Sequence, residues 1–270
     1  EGVRVVRDDL LTGSKVRGGD LLATRVKEER MVYVQPRTGL AGVSLLDVCA
    51  ARGKKLTLWM PSSKKVSAHQ AICIERGADA RFLRIAAMPN LNKIAKEWAE
   101  EFGHFFIPLG LRHEFVTAGI IQAALKIDPP EEVWTVCSTG VLTRALQIAW
   151  PGAEFHAVAV ARNMKAGELG KAQVTSAPEA FTQRVKPHEE PPFPSVNTYD
   201  AKGWRETPKN SGRDVLFWNV GTEPVLNDQS FYNVESFREW NDRSDYGRPE
   251  DHKSSVQSHV RLGSHVVGVS

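Results

Sequence analysis

The chain has 270 residues, of which 41% are hydrophobic and 25% are charged, and it carries a net charge of +3. This size and composition allow a sizeable core, in one large or two closely packed α/β domains. The charge is too small to indicate nucleic-acid binding by itself, although it suits a phosphorylated or carboxylated ligand. Three isolated cysteines favour a reducing compartment. The sequence shows no apolar run near the roughly 20 residues of a membrane span and no leader, which predicts a soluble, cytoplasmic protein.

Short β-branched segments alternate with amphipathic ones along most of the chain, which predicts parallel strands joined by crossover helices. A helix is also expected to begin at the serines that follow Pro61, since serine caps helix N-termini. Scattered histidines without metal-ligand spacing predict no metal site. The predicted strands are 31–34, 55–60, 80–85, 105–108, 133–136, 155–160 and 215–218, and the predicted helices are 39–52, 92–102 and 114–125, with a further apolar segment at 145–150.

Two segments near the end of the chain break this alternation. Residues 186–195 are too rich in proline for a helix or a sheet interior, which predicts a surface excursion or lid. Residues 227–270 are polar with scattered aromatic side chains, which favours an irregular, docked tail over free disorder.

Lys15 follows a Gly-Ser turn at the start of a helical run. Its amine can form a Schiff base with an aldehyde if its neighbours lower its pKa, although a solvated lysine at a helix start fits the same residues. Residues 136–142 form a second candidate site, a strand that runs into small residues and then a helix. This geometry presents free backbone N–H groups to an anion, and an ordinary βα turn is the alternative.

Taken together, five segments resemble, in collinear order, those of pyridoxal-phosphate (PLP) enzymes of the tryptophan synthase β (fold type II) superfamily. The nearest branches are D-cysteine desulfhydrase with aminocyclopropane-carboxylate deaminase, and cysteine synthase. The chain resembles a divergent and truncated version of them. The segments are the lysine loop at 7–17, a substrate-carboxylate loop at 35–45, a segment at 106–125, a phosphate loop at 136–142 and a pair of segments at 198–203 and 214–222.

The resemblance implies two three-layer α/β domains with mostly parallel sheets and PLP in the cleft between them. The smaller domain would comprise residues 20–118, inserted in a larger one made of residues 1–19 and 119–226. A homodimer is also implied. Lys15 would carry the Schiff base, Tyr199 would act as acid/base, and Asp200 would face the pyridine nitrogen. Further cofactor-binding positions would be Cys137, Ser138, Thr139, Gly140, Val141 and Thr222, and substrate-binding positions Thr38 and Gly39. Arg112, near a position where the family has a small polar residue, is expected to bind a second acidic group of the substrate, and a surface arginine is the alternative.

Several positions depart from the family's motifs. Leu40 replaces an asparagine that contacts the cofactor ring, and Cys137, Thr139 and Val141 replace two glycines and a threonine of the phosphate loop. The expected function is a lyase or deaminase type of reaction through a Cα carbanion on an amino-acid-like substrate. One alternative is a viral decarboxylase or lyase, in the host cytoplasm, that acts on an amino acid attached to thymine in DNA. Another is an inactive PLP-fold binding subunit.

Overall fold

The computed structural model describes residues 2–63, 65–84 and 87–227. Within this part, helices and strands alternate as predicted. The strands are β1 (Arg4–Arg7), β2 (Arg30–Val34), β3 (Lys55–Pro61), β4 (Asp79–Leu83), β5 (Phe105–Ile107), β6 (Glu132–Cys137), β7 (Glu154–Ala159), β8 (Gln173–Ser176) and β9 (Val215–Asn219). The helices are α1 (Lys15–Arg25), α2 (Ala41–Ala51), α3 (Ala68–Glu75), α4 (Met88–Glu101), α5 (Glu114–Ala124), α6 (Val141–Ala149) and α7 (Asp200–Glu206).

The strands form two sheets, and every paired strand is parallel to its neighbour. One sheet has the order β1-β9-β6-β7-β8 and the other the order β4-β3-β2-β5. The predicted α/β class with two mostly parallel sheets is therefore confirmed. The four-stranded sheet lies wholly between residues 30 and 107, while the predicted division into domains at residues 20 and 118 stays a prediction.

Strand β2 shows why the smaller sheet has helices on both faces. Its side chains alternate between two apolar clusters, because successive residues of a strand point to opposite faces of the sheet. Both faces are buried, as expected for a parallel sheet. Met31 and Tyr33 pack in a cluster with Leu22 and Leu45 from α1 and α2, whereas Val32 and Val34 pack with Leu91 and Trp98 of α4.

The parallel arrangement determines where a ligand site can form. In an open α/β sheet, ligands bind outside the carboxyl ends of the strands. The carboxyl end of β2 leads into residues 35–40, and that of β6 leads into residues 138–140. The loops singled out in the sequence therefore leave their sheets on the side where ligands bind.

The prediction of a helix start directly after Pro61 is wrong. Ser62 continues the sheet instead, because its N–H donates to the carbonyl of Leu83. Helix α3 begins at Ala68 and is capped by Ser67, whose hydroxyl accepts from the N–H of Gln70 in a reciprocal capping box. The serine that caps this helix is thus the one followed three residues later by a glutamine.

Other segments add detail to the prediction. The sequence did not predict β1, which has only four residues, or β8, which is exposed along its whole length. The apolar segment at 145–150 belongs mostly to α6. Residues 187–189 form a short 3₁₀ turn in the proline-rich segment. Apart from Asn227, the predicted tail lies outside the described residues. No helix in the described part is long and apolar enough to cross a membrane.

Helices α1 and α5 cross in direct backbone contact at two glycines. A Cβ built on Gly18 would lie 2.5 Å from the carbonyl oxygen of Val116, and one built on Gly119 would lie 2.7 Å from that of Arg17. Real Cβ atoms do not approach backbone atoms this closely, so the crossing requires glycine at both positions. The neighbouring Gly19 is different, since its nearest contact would be Leu45 Cδ2 at 3.5 Å.

We expect Gly18→Ala to destabilise the protein by about 2 kcal/mol, because the added methyl group must push two helix backbones apart. Gly19→Ala is the matched control in the same helix. It should leave stability unchanged or raise it by up to about 1 kcal/mol, because alanine has the higher helix propensity. Urea unfolding of both variants measures the difference, and equal stabilities would show that the crossing is not tight.

Candidate active site

A cavity of about 410 Å³ opens where the loops of the two sheets meet. It is lined by residues from α1, the loop after β2, the turn after β5, the loop after β6 and the segment before α7. Of the predicted site residues, the structure brings together Lys15, Thr38, Gly39, Arg112, Cys137, Ser138, Thr139, Gly140, Val141 and Tyr199 in the lining. Asp200 and Thr222 do not line it.

Lys15 is the first residue of α1, and the preceding turn is fixed to the larger sheet. The N–H of Ser14 donates to the carbonyl of Val220 at 2.8 Å, just after the end of β9. Burial lowers the pKa of the Lys15 amine from its usual value of 10.5, while the charges of Asp200 and Asp8 act in the opposite direction. A lowered pKa increases the neutral fraction of the amine, which is the nucleophilic form.

Asp8 fixes the position of the segment that carries Lys15, and the sequence analysis did not assign it a role. It is fully buried, and its Oδ1 accepts two hydrogen bonds from Arg17, at 2.8 and 2.6 Å. Its Oδ2 accepts from the indole N–H of Trp218 at 2.7 Å. The carboxylate therefore joins the segment after β1 to both α1 and β9. The sequence signal was an acid and a basic residue that flank the lysine.

Asp200 lies behind the cavity wall rather than in it. Its Oδ1 accepts from the N–H of Val220 at 3.1 Å, and its Oδ2 is buried without a hydrogen-bond partner among the described residues. Burial raises the pKa of this carboxyl well above its usual value, and the nearby charge of Asp8 adds to the effect. The charge of this carboxyl acts on Lys15 and raises the pKa of its amine. Its pairing with a pyridine nitrogen stays a prediction.

Asp200→Asn is expected to stabilise the cofactor-free protein, and increasingly so as the pH rises. A raised pKa means that, above the unfolded value of 3.8, the folded state retains a proton that the unfolded chain has lost. The wild type therefore loses stability with rising pH, by at most about 1.4 kcal/mol per pH unit, until the folded pKa is passed. Asparagine is neutral and has no such loss.

The measurement is the free energy of unfolding of both proteins at pH 5 and pH 8. The difference between them should be larger at pH 8. Asp47→Asn is a suitable control, because Asp47 forms an exposed ion pair with Arg76. A difference for Asp200→Asn that is the same at both pH values would show that the buried carboxyl is not protonated.

Tyr199 places its ring and hydroxyl at the cavity. The hydroxyl donates to the carbonyl of Val136 at 3.3 Å, and the ring packs edge-on against Phe181. Burial raises the pKa of this phenol, so the hydroxyl remains protonated at neutral pH. Tyr199 therefore presents a proton donor beside the loop that follows β6.

The loop after β2 owes its shape to a buried glutamine that the sequence analysis did not assign. Gln35 donates from Nε2 to the carbonyls of Pro36 and Gly39, both at 2.9 Å, and accepts at Oε1 from the N–H of Gly42 at 2.8 Å. These three bonds curl residues 36–42 around one side chain. The curl places Thr38 and Gly39 on the cavity.

The loop after β6 ends in the N-terminus of α6. Gly140 precedes the helix in the left-handed region, with φ +71°, which favours glycine. The first N–H groups of a helix have no intrahelical acceptor, and here they belong to Val141, Leu142 and Thr143, which line the cavity. Amides and the helix dipole together make a site suited to an anion.

Cys137 begins this loop, and its thiol is not a nucleophile. The side chain is buried, and burial raises its pKa to about 12. The thiolate is the reactive form of cysteine, so this group is inert at neutral pH. Cys49 and Cys73 are also buried and free.

The donor set of the cavity fits PLP. The described lining contains Lys15, Arg112 and Arg162 but no aspartate or glutamate, which favours an anionic ligand. It offers a buried amine for an aldehyde and helix amides for a phosphate. The Oδ2 of Asp200, which has no hydrogen-bond partner among the described residues, lies behind the wall and not in the lining.

No protein-family model matches the sequence, and no curated protein matches it. Solved structures do match. An ACC deaminase homologue is 15% identical, with a TM-score of 0.67, and the match covers 87% of this chain and 88% of that chain. Threonine deaminase isoform 2 from Solanum lycopersicum is 11% identical, with a TM-score of 0.60 and coverages of 87% and 78%. Escherichia coli diaminopropionate ammonia lyase is 12% identical, with a TM-score of 0.57 and coverages of 88% and 81%.

These identities are low, so the likeness concerns the fold rather than a particular reaction. The fold of the three proteins is the fold that the resemblance of the sequence motifs implied. The chain has the fold of the tryptophan synthase β (fold type II) superfamily of PLP-dependent enzymes.

Proposed function

We propose that the protein is a PLP-dependent enzyme that forms a carbanion at the α-carbon of an amino-acid-like substrate. Elimination, deamination and decarboxylation are the outcomes open to it. The observation that carries the proposal is the presence, on one cavity, of the half-buried Lys15, whose amine has a lowered pKa, and the free amides at the start of α6. A small molecule that carries an aldehyde and a phosphate could bind the amine through the aldehyde and the amides through the phosphate.

When bound, PLP would supply the electron sink that makes the α-carbon of an amine acidic. The amides of Val141, Leu142 and Thr143 would hold its phosphate. Lys15 would hold the cofactor and move a proton at Nζ, and the hydroxyl of Tyr199 would deliver a second proton.

The substrate carboxylate would bind at the loop that Gln35 shapes, through Thr38 and the backbone of Gly39. Leu40 gives this region an apolar side, because its Cδ1 would lie only 2.3 Å from a Cβ at Gly221 and so fills the space next to that loop. A polar contact to the cofactor is absent at this position. We therefore propose a substrate larger than the free amino acids used by the deaminases.

A visible spectrum of the purified protein tests the proposal most directly. After incubation with PLP and removal of the excess, the protein should show the absorbance band of lysine-bound PLP. One PLP per chain is expected. A protein that remains colourless after this treatment would overturn the enzyme assignment and favour a binding subunit that shares the fold.

A substrate attached to DNA is a second candidate, favoured by the exposed Arg112 in the lining. A DNA-linked amino acid would bring phosphates to the mouth of the cavity, and its binding should weaken steeply with added salt. Turnover of a free amino acid without salt dependence would exclude this candidate.

We also propose that the protein is a cytoplasmic homodimer. Sedimentation velocity can test the oligomeric state.

A further inference from the structure

Two guanidinium groups converge on the backbone carbonyl of Thr139, which lines the cavity together with Arg112, while Arg144 lies beside the lining. Arg112 donates from Nη2 to the carbonyl of Thr139 at 3.4 Å, and Arg144 donates from Nη1 to the same oxygen at 3.3 Å. Arg112 comes from the turn after β5, on the side of the smaller sheet, and Arg144 comes from the first turns of α6. Both bonds are long, and Nη1 of Arg144 also donates to the backbone carbonyl of Glu168 at 3.3 Å. These contacts use only one nitrogen of each guanidinium, so further donors are available to a ligand.

This pair of arginines has no acidic partner. In the described part of the chain, no carboxylate lies within 4 Å of Arg112 or Arg144. The neighbouring Glu168 is bound at both of its oxygens by Arg162 instead. Burial lowers the pKa of Arg144, and the positive charge of Arg112 lowers it further. The two like charges are therefore held together without a direct ion pair, and the charge of the neighbouring Glu168 offsets them only from a distance.

The turn that presents Arg112 is packed against the loop after β6. A Cβ built on Gly110 would lie 2.6 Å from the side chain of Thr139. Leu111, fully buried, has φ +57°, a conformation that is uncommon for a branched residue. Strain of this kind persists only where surrounding structure enforces it. The position of Arg112 is thus fixed by the fold.

We propose that Arg112 and Arg144 form a second anion site, at the mouth of the cavity, for a phosphate or carboxylate. Guanidinium groups bind such anions through paired N–H donors. The amides at the start of α6 already provide for one phosphate, and Arg112 is exposed to arriving molecules. This assignment rests on the proposed function in one respect: the anion would be a distal acidic group of the substrate, in addition to its α-carboxylate.

The test is calorimetric titration of the PLP-loaded protein with inorganic phosphate at constant ionic strength. The wild type should bind one phosphate per chain, and Arg112→Gln and Arg144→Gln should each weaken this binding at least tenfold. Arg76→Gln, which removes an exposed arginine paired with Asp47, should leave it unchanged. Equal phosphate binding by the wild type and both cavity variants would overturn the proposal. Titration with succinate, in the same proteins, distinguishes a carboxylate site from a phosphate site.

A second arm separates the substrate's anion from the cofactor's own phosphate. PLP and pyridoxal, which lacks the phosphate, are titrated into cofactor-free wild type and Arg112→Gln. Unchanged PLP affinity in the variant supports a separate site. A tenfold loss for PLP but not for pyridoxal would overturn the proposal and assign Arg112 to the cofactor. If the wild type fails to bind PLP, the proposed function fails, yet the phosphate titration of the cofactor-free protein still decides whether these arginines bind an anion.

Discussion

Lys15→Ala is expected to abolish the visible absorbance of the PLP-loaded protein and to reduce turnover by at least about 10³-fold. The amine is the one lysine in the described cavity lining, so its removal eliminates both the covalent attachment and the proton carrier. Its lowered pKa makes it a better nucleophile than an exposed lysine. We expect noncovalent PLP binding to persist at reduced affinity, because the amides at the start of α6 are unchanged.

Lys209→Ala is the control for this experiment. Burial lowers the pKa of Lys209 as well, but this lysine donates to carbonyls at the end of α7 and does not line the cavity. Its variant should retain the band and the activity. A Lys15→Ala protein that still shows the band would mean that another lysine captures the aldehyde, and the proposed site would then be wrong.

Arg17→Gln is expected to destabilise the protein by about 3 kcal/mol, because it leaves the fully buried carboxylate of Asp8 without its cation. Trp218 would remain as a single neutral donor. Arg52→Gln provides the comparison, since it breaks an equally short bidentate pair with Asp20 that is exposed on both sides. Exposed pairs contribute about 1 kcal/mol or less.

Urea unfolding of the two variants in parallel measures this contrast. If Arg17→Gln costs no more than Arg52→Gln, Asp8 must be neutral or otherwise compensated in the folded protein. The double variant Asp8→Asn with Arg17→Gln should recover part of the loss, because it removes the uncompensated charge along with its partner.

The sequence predicted the class of fold and the location of the cavity because both depend on local patterns. Buried β-branched segments that end in glycine-containing loops identify parallel strands and their carboxyl ends. Thr38 and Gly140 lie in such loops, whereas Lys15 begins α1 after a strand that the sequence did not predict, and all three line the cavity. The motif resemblance added their proposed roles and the superfamily, whereas the structural likeness concerns the fold alone.

Residues that act through distant partners could not be assigned in this way. Asp8 accepts a hydrogen bond from Trp218, which lies 210 positions away in the sequence. Gln35 shapes the loop after β2, but nothing in the sequence around it indicates that this loop curls. Asp200 follows Tyr199 directly, yet the two side chains diverge at the start of α7, one towards the cavity and one behind its wall. Adjacent residues at a helix start do not share a direction, and sequence motifs carry no information about it.

The glycine contact between α1 and α5 has a consequence for which molecules the cavity can accept. Lys15 stands one turn before Gly18, and Arg112 stands four residues before Val116, which touches that glycine. Because the two backbones are in direct contact, the close approach of the helices sets how far apart these two side chains begin. Under the function proposed above, a side chain added at Gly18 would change the length of substrate that can reach both the amine and the guanidinium.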